Sequence, residues 1–298
     1  MSTSKQTYTY KTVKKHEIKA DVYPAAGGGL RPVVVWIHGG CLIMGHRGGI
    51  AHWQRDRYLD AGYTVVCIDY RLAPETKLPA IVDDLQDAFH WVREEGRGLF
   101  QADPARVVAV GHSAGGYLAL MSGVVCYPRP AAIVSFYGYG DIVGDWYSRP
   151  DPHYCQQPIV PRQRAHSTVG REIISGTPGP HRRDDFYLYV RQQGLWPLEV
   201  SGHDPHTEPG FFQLYCPVRS VDHDYPPTLL LHGDRDTDVP YQQSVMMAAA
   251  LAKAQVEHKL VTIPGGEHGF DAERSAVSEQ ALSKVLAFLS DQLGRPAG

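Results

Sequence analysis

The sequence contains no long apolar run. Its longest, such as Val33 to Ile37, fall far short of the roughly 20 residues that a membrane-spanning helix needs. The opening residues, MSTSKQTYTYKTVKKHE, lack the continuous apolar stretch of a secretory leader. A cytoplasmic location and no membrane partner are therefore expected. Charge of one sign is not in excess either. Twenty-nine basic residues face 32 acidic ones, a net charge of −3 that offers no basic face for nucleic acid. Cysteine is scarce: Cys41, Cys67, Cys126, Cys155 and Cys216 are odd in number and show no CxxC spacing, which suits free thiols better than a disulfide framework. Internal repeats and low-complexity tracts are absent. No HExxH spacing occurs, so the histidines between residues 140 and 223 (His153, His166, His181, His203, His206, His223) suggest no metal centre.

What remains is a globular composition, 43% hydrophobic and 20% charged, over 298 residues. Residues 6–24 alternate polar and apolar positions and predict two short antiparallel strands. The run Val33-Val34-Val35-Trp36-Ile37 predicts a strand buried on both faces, 65–68 and 107–110 read as further buried strands, and 131–136, 228–231 and 259–263 also read as strands. Between them, 51–61, 79–95, 114–125, 241–254 and 273–293 read as helices. That alternation predicts an α/β architecture, a mostly parallel sheet with helices on both faces. Residues 140–223 break the rhythm with many Pro, His, Tyr and Arg and only short helical stretches such as 184–193. A structureless loop of that length is abnormal in a compact domain, so the segment reads as a lid or cap. The expected organisation is a core of 1–139 and 224–298 with 140–223 inserted.

Gly111-His112-Ser113-Ala114-Gly115 fits GxSxG directly between a buried strand and a helix. There a sharp turn lifts the serine hydroxyl above the sheet, and only small neighbours fit. A serine hydroxyl is too weak an acid to attack an ester unaided, so a base is required. His268, in GGEHGF after the last predicted strand, is the candidate. The imidazole in turn needs an acid to hold its tautomer. The stretch HGDRDTDVP at 232–240 offers three carboxylates; Asp236 is the candidate, with Asp234 beginning the turn and Asp238 capping the following helix. Oxyanion donors are expected from the amides of Gly39 and Gly40, after strand 33–37, and of Ala114.

Taken together, HGGC at 38–41, DYRLAPE at 69–75, LPAIVDD at 78–84 with Trp91, DPARVVAVGHSAGG at 103–116, HGDRDTDVP and GGEHGF resemble the hormone-sensitive-lipase-like and acetyl-esterase-like branch of α/β hydrolases. The resemblance covers residues 32–141 and 226–270. It implies the α/β-hydrolase fold, Ser113 as nucleophile with Asp236 and His268, an oxyanion hole at Gly39, Gly40 and Ala114, a small-molecule ester as substrate, and no cofactor. Tyr70 and Arg71 look structural. Two departures stand out. The family's HGGG is here HGGC, and only 37 residues precede His38, too few for the usual N-terminal cap. The shorter architecture is also similar to formamidase-like and peptidase-like relatives, which cleave amides. Cys41, His112, Tyr147 and Phe212 are candidate pocket residues. A homodimer through a sheet edge or the lid is compatible with the sequence.

Overall fold

The structure, a computed structural model, describes residues 4–177 and 183–294. The β-branched runs form one eight-stranded sheet from β1 (Gln6–Val13), β2 (His16–Tyr23), β3 (Arg31–Ile37), β4 (Thr64–Ile68), β5 (Ala102–His112), β6 (Ile133–Phe136), β7 (Thr228–Gly233) and β8 (His258–Ile263). Their spatial order is β1-β2-β4-β3-β5-β6-β7-β8. The first two strands form the antiparallel hairpin predicted over 6–24, and β2 runs antiparallel to β4. From β4 to β8 every pairing is parallel.

A strand's side chains alternate between faces, so β3 feeds two separate cores. Val33, Val35 and Ile37 join one; Val34 and Trp36 join the other. Helices Leu78–Glu94, Ala114–Val125 and Gln242–Lys253 contribute to the first core, and His52–Asp60 and Ala276–Leu293 to the second. Leu78–Glu94 shows why such a segment is helical. Ile81, Leu85, Ala88, Phe89 and Val92 recur at helical spacing and are fully buried. Each large apolar side chain among them contributes about 1.5–3 kcal/mol by leaving water. Pro79 sits in the first turn, where its missing N–H costs nothing. Next to this helix Arg71 donates from Nε and Nη2 to the fully buried Asp84, so DYRLAPE is indeed structural at this residue.

Register places the loops that matter. Ile37 pairs with Gly111, so His38-Gly39 and His112-Ser113 leave the sheet side by side. Gly233 pairs with Ile263, which brings the turns after β7 and β8 together in the same way. Both pairs of loops leave at the carboxyl ends of parallel strands, where α/β sheets place their ligands.

Between β6 and β7 the chain forms short helices at Asp145–Ser148, Arg162–His166, Asp184–Gln193 and Trp196–Ser201, joined by irregular stretches. Their buried side chains do not form a core of their own. Tyr147, Phe186, Trp196 and Phe212 belong to the same apolar cluster as one face of the sheet. Arg183 fastens the segment from above, donating to the carbonyls of Ile43 and Ala73 and pairing with Glu75.

Candidate active site

Ser113 sits between β5 and the helix Ala114–Val125 with φ 56° and ψ −119°. This left-handed strain, on the order of 1–3 kcal/mol, is held in place from both sides. The Ser113 amide donates to Phe136 O at 2.9 Å and its carbonyl accepts from Tyr117 N at 3.0 Å. The flanking glycines are dictated by space. A Cβ on Gly115 would lie 2.0 Å from the carbonyl oxygen of Ile37, and one on Gly39 would lie 3.2 Å from Cβ of Ser113. Glycine at 39 thus lets the backbone after β3 approach Ser113. Among the described residues, the amides of Gly39, Gly40 and Ala114 are committed to no protein acceptor.

His38 underpins this loop. Its ring stacks on Tyr70 at 4.2 Å, its Nδ1 lies 2.7 Å from Gly39 O, and Tyr70 OH donates to its carbonyl. Burial pulls the imidazole down to about 3, so the ring is neutral at physiological pH. The next residue but two, Cys41, has φ 60°, a region that glycine occupies freely and other residues rarely. Its thiol is buried and lines the cavity over Ser113, and burial pushes it far above the ordinary thiol range. A thiol held protonated is a packing group rather than a nucleophile.

The candidate acid and base lie on the paired turns after β7 and β8. His268 Nδ1 lies 2.7 Å from Asp236 Oδ2, and the amides of Asp238 and Val239 donate to Oδ1 at 2.9 and 2.8 Å. Burial opposes the charge on Asp236, but hydrogen bonds from His232 and His268 outweigh it and hold the carboxyl well below the usual range. His232 is fully buried and fixed in its turn. Its Nε2 meets Val239 O at 3.0 Å, so that nitrogen carries the proton and Nδ1 accepts from Ser244 Oγ at 2.7 Å. Burial alone would lower the imidazole of His268. The hydrogen bond to Asp236 and the charges of Asp238 and Asp236 reverse this and raise it.

Asp238 departs from expectation. The helix after it begins at Gln242 with Tyr241 as its cap, and no side chain caps it. With Pro240 intervening, Asp238 is too far upstream to reach the first turn. Its Oδ1 instead accepts from Tyr154 OH and Arg191 Nη1, both at 2.7 Å, and from Tyr187 OH. Its Oδ2 lies 3.3 Å from Nε2 of His268. No hydrogen bond joins Ser113 Oγ to His268, although the two share one cavity.

That cavity has a volume of about 490 Å³, and its wall includes Cys41, Ser113, Tyr154, Tyr187, Asp238 and His268. A second, of about 550 Å³, lies behind Gly39 and Gly40 over Trp36, Gln54 and Asp271. His112 and Tyr137 border both. His112 stacks on Phe136 at 4.4 Å and its Nε2 lies 2.9 Å from Asp271 Oδ2. Tyr137 OH and Gln54 Nε2 donate to the same carboxylate at 2.6 and 2.7 Å, and the Tyr137 ring meets His268 edge-on at 4.7 Å.

Of the four candidate pocket residues, Cys41 and His112 line the cavity beside Ser113. Tyr147 and Phe212 do not. Tyr147 is sandwiched between Trp146 and Trp196 at 3.6 and 4.2 Å, and Phe212 is fully buried against Phe211. Large aromatic rings with no polar obligation in the cavity gain more from mutual packing. The residues that take the expected place are Tyr154 and Tyr187, both from the segment between β6 and β7. Asp271 and Arg191 were not expected at all. Asp271 had a faint signal, a carboxylate three residues after His268; Arg191 had only its i+4 spacing from Tyr187. Among the described residues no cluster of side chains is suited to a metal ion, and His181 lies outside them.

Residues 34–272 match the family model described as alpha/beta hydrolase fold. The chain belongs to that family. Solved structures of this α/β hydrolase's shape include an esterase from Pyrobaculum calidifontis (TM-score 0.72, 23% identity, 97% of this chain and 85% of that one) and esterase 2 of Thermogutta terrifontis phosphoramylated by tabun (TM-score 0.71, 20% identity, 99% and 96%). A Staphylococcus aureus protein of unknown function superposes with a TM-score of 0.79 at 21% identity, covering 97% and 99%. Among curated sequences, the non-reducing polyketide synthase ausA of Aspergillus calidoustus is 30% identical over 90% of this chain. The hydrolase chain spans only 13% of that much longer protein. No helix among the described residues is long and apolar enough to cross a membrane.

Proposed function

We propose that this chain is a serine carboxylesterase that hydrolyses small carboxylic esters, short-acyl or aromatic, through an acyl-enzyme. The observation that carries the reading is the conjunction at one cavity of a strained serine after β5 and a histidine held at 2.7 Å by a buried carboxylate. Strain of that kind persists where the surrounding structure enforces it, and it serves to present the hydroxyl.

In this mechanism Ser113 Oγ attacks the ester carbonyl while His268 Nε2 takes its proton. Asp236 holds Nδ1–H and stabilises the imidazolium. The amides of Gly39, Gly40 and Ala114 receive the oxyanion, a contribution of several kcal/mol to the barrier. His268 then protonates the departing alcohol and activates water against the acyl-enzyme. Every step uses the chain's own groups and water. The cavity volume of about 490 Å³ and its tyrosine wall suit a compact acyl group.

The test is hydrolysis of p-nitrophenyl esters from acetate to laurate, with Ser113→Ala in parallel. Short esters should be cleaved, and the variant should lose roughly a thousandfold or more. Equal rates for both proteins would remove Ser113 as nucleophile.

A second reading draws on the polyketide synthase relatives. The same serine chemistry cleaves acyl thioesters, and a segment of this kind within a polyketide-building protein suits release or transfer of an acyl chain. An acetyl or benzoyl thioester of N-acetylcysteamine turned over faster than the matching p-nitrophenyl ester would favour it. Faster turnover of an anilide or formamide would favour amide hydrolysis instead.

A further inference from the structure

His268 faces a carboxylate at each ring nitrogen, the two lying two residues apart on one turn. Nδ1 lies 2.7 Å from Asp236 and Nε2 lies 3.3 Å from Asp238. The chemistry of imidazole makes these contacts unequal. With Nδ1–H given to Asp236, the neutral ring presents a lone pair at Nε2, and a lone pair facing a carboxylate oxygen is repelled. Only the doubly protonated ring donates to both. The base that Ser113 needs is the neutral form. The arrangement therefore favours the state that cannot yet take a proton.

Asp238 is built into this position. Three donors from the inserted segment fix its Oδ1, namely Tyr154 OH, Tyr187 OH and Arg191 Nη1, and its own amide is tied to Asp236 Oδ1. Arg191 is fully buried and shares its charge with Asp151 on the far side. The carboxylate cannot swing away without stranding those donors, so Oδ2 stays aimed at the imidazole.

We propose that Asp238 is a positioning residue for His268, a second carboxylate that favours the imidazolium over the neutral ring and sets the pH at which Ser113 acquires its base. This rests on the reading of Ser113 and His268 as nucleophile and base. The groups facing His268 support the sign. Asp236 and Asp238 face it from the turn after β7, and Asp271 from its own loop. Tyr137 meets it from the end of β6, with its hydroxyl given to Asp271. Tyr154, Tyr187 and Arg191 act on it only through Asp238, and the neutral thiol of Cys41 shares the cavity wall. Three carboxylates thus surround one imidazole, and Arg191 offsets one of them. Within the reaction, the proton leaving Ser113 Oγ arrives at Nε2 while Asp238 stabilises the imidazolium so formed. The same proton passes on to the leaving alkoxide. Asp238 neither gains nor loses a proton.

The experiment is an NMR titration of the His268 ring in a Ser113→Ala background, with and without Asp238→Asn, alongside pH profiles of kcat/KM for p-nitrophenyl acetate in proteins that retain Ser113. With asparagine at 238 the ring should titrate at lower pH. The rate at the acid end should gain several-fold relative to the rate at the alkaline end. An unchanged titration with a uniformly lower rate would show a structural role only and overturn the proposal. Should Asp238→Asn not fold, the pair Tyr154→Phe and Tyr187→Phe keeps the Asp238–Arg191 contact while removing two donors from the carboxylate. The ring should then titrate at higher pH, and no movement there counts against the proposal equally. The titration reads the ring whether or not any ester is cleaved. A failure of the esterase reading, seen as hydrolysis unaffected by Ser113→Ala, is therefore distinguishable from a failure of this one.

Discussion

Asp271 Oδ2 lies 2.9 Å from Nε2 of His112, the residue immediately before Ser113, although 159 positions separate the two. Tyr137 OH and Gln54 Nε2 donate to the same carboxylate. A buried acceptor that satisfies three donors is costly to remove, because each donor is left unpaired at about 1–3 kcal/mol. Asp271→Ala should therefore lower stability by about 2–5 kcal/mol, read as a fall in the urea midpoint. Asp271→Asn, which keeps one acceptor oxygen, should lose less.

Arg191 should prove as costly. It is fully buried between Asp151 and Asp238 and lies over the rings of Tyr147 and Tyr154 at 4.9 and 4.4 Å. Arg191→Met strands two carboxylates, so a loss of about 3–5 kcal/mol is expected in thermal or chemical unfolding. Arg191→Lys should rescue little of it. One ammonium cannot reproduce the planar fork that serves Asp151 from Nη2 and Asp238 from Nη1.

The pH dependence follows from the shifts of the paired groups His268 and Asp236. His268 is raised, so activity should climb through a pH above the ordinary histidine value of about 6.5. The raised ring also adds stability that is full below that ordinary value and is lost as pH rises through its folded value. Asp236 has the opposite sign. Its depressed carboxyl contributes stability above about pH 4, lost as pH falls through its folded value. Midpoints of urea unfolding between pH 3 and 9 should show the acid-side loss, and rate profiles the alkaline-side gain.

Cys41 gives a prediction for selectivity. At φ 60° glycine is relieved of about 1 kcal/mol that cysteine bears, which offsets part of the packing lost with the thiol. Cys41→Gly should leave the melting temperature nearly unchanged while widening the cavity over Ser113. Longer p-nitrophenyl esters should gain relative to acetate. In the native protein, Ellman's reagent should label Cys155 first, since it is exposed while the other four thiols are buried.

The central strands β3 and β4 were legible because each is a short apolar run, rich in β-branched residues, buried on both faces, and the first two because polar and apolar positions alternate along them. That Ser113, Asp236 and His268 come together was legible because each follows a predicted strand of the parallel sheet, at its carboxyl end. Asp238 was misread as a helix cap because capping is a local rule, and its partners Tyr154, Tyr187 and Arg191 lie 47 or more positions away. Tyr147 and Phe212 were misread for a related reason. An aromatic residue in an irregular segment looks alike in sequence whether it faces a cavity or a neighbour's ring. Spacing carries no information where no regular period exists.

The register of the sheet also bears on synthesis. Ser113 and Gly39 are placed by β3 and β5, both from the first half of the chain, whereas His268 follows β8 at the far edge of the sheet. A chain still leaving the ribosome can complete the turn around its serine long before it has an imidazole to activate it. Under the proposed mechanism, hydrolytic activity arrives only with the last strand, and a nascent or C-terminally clipped molecule carries an inert hydroxyl.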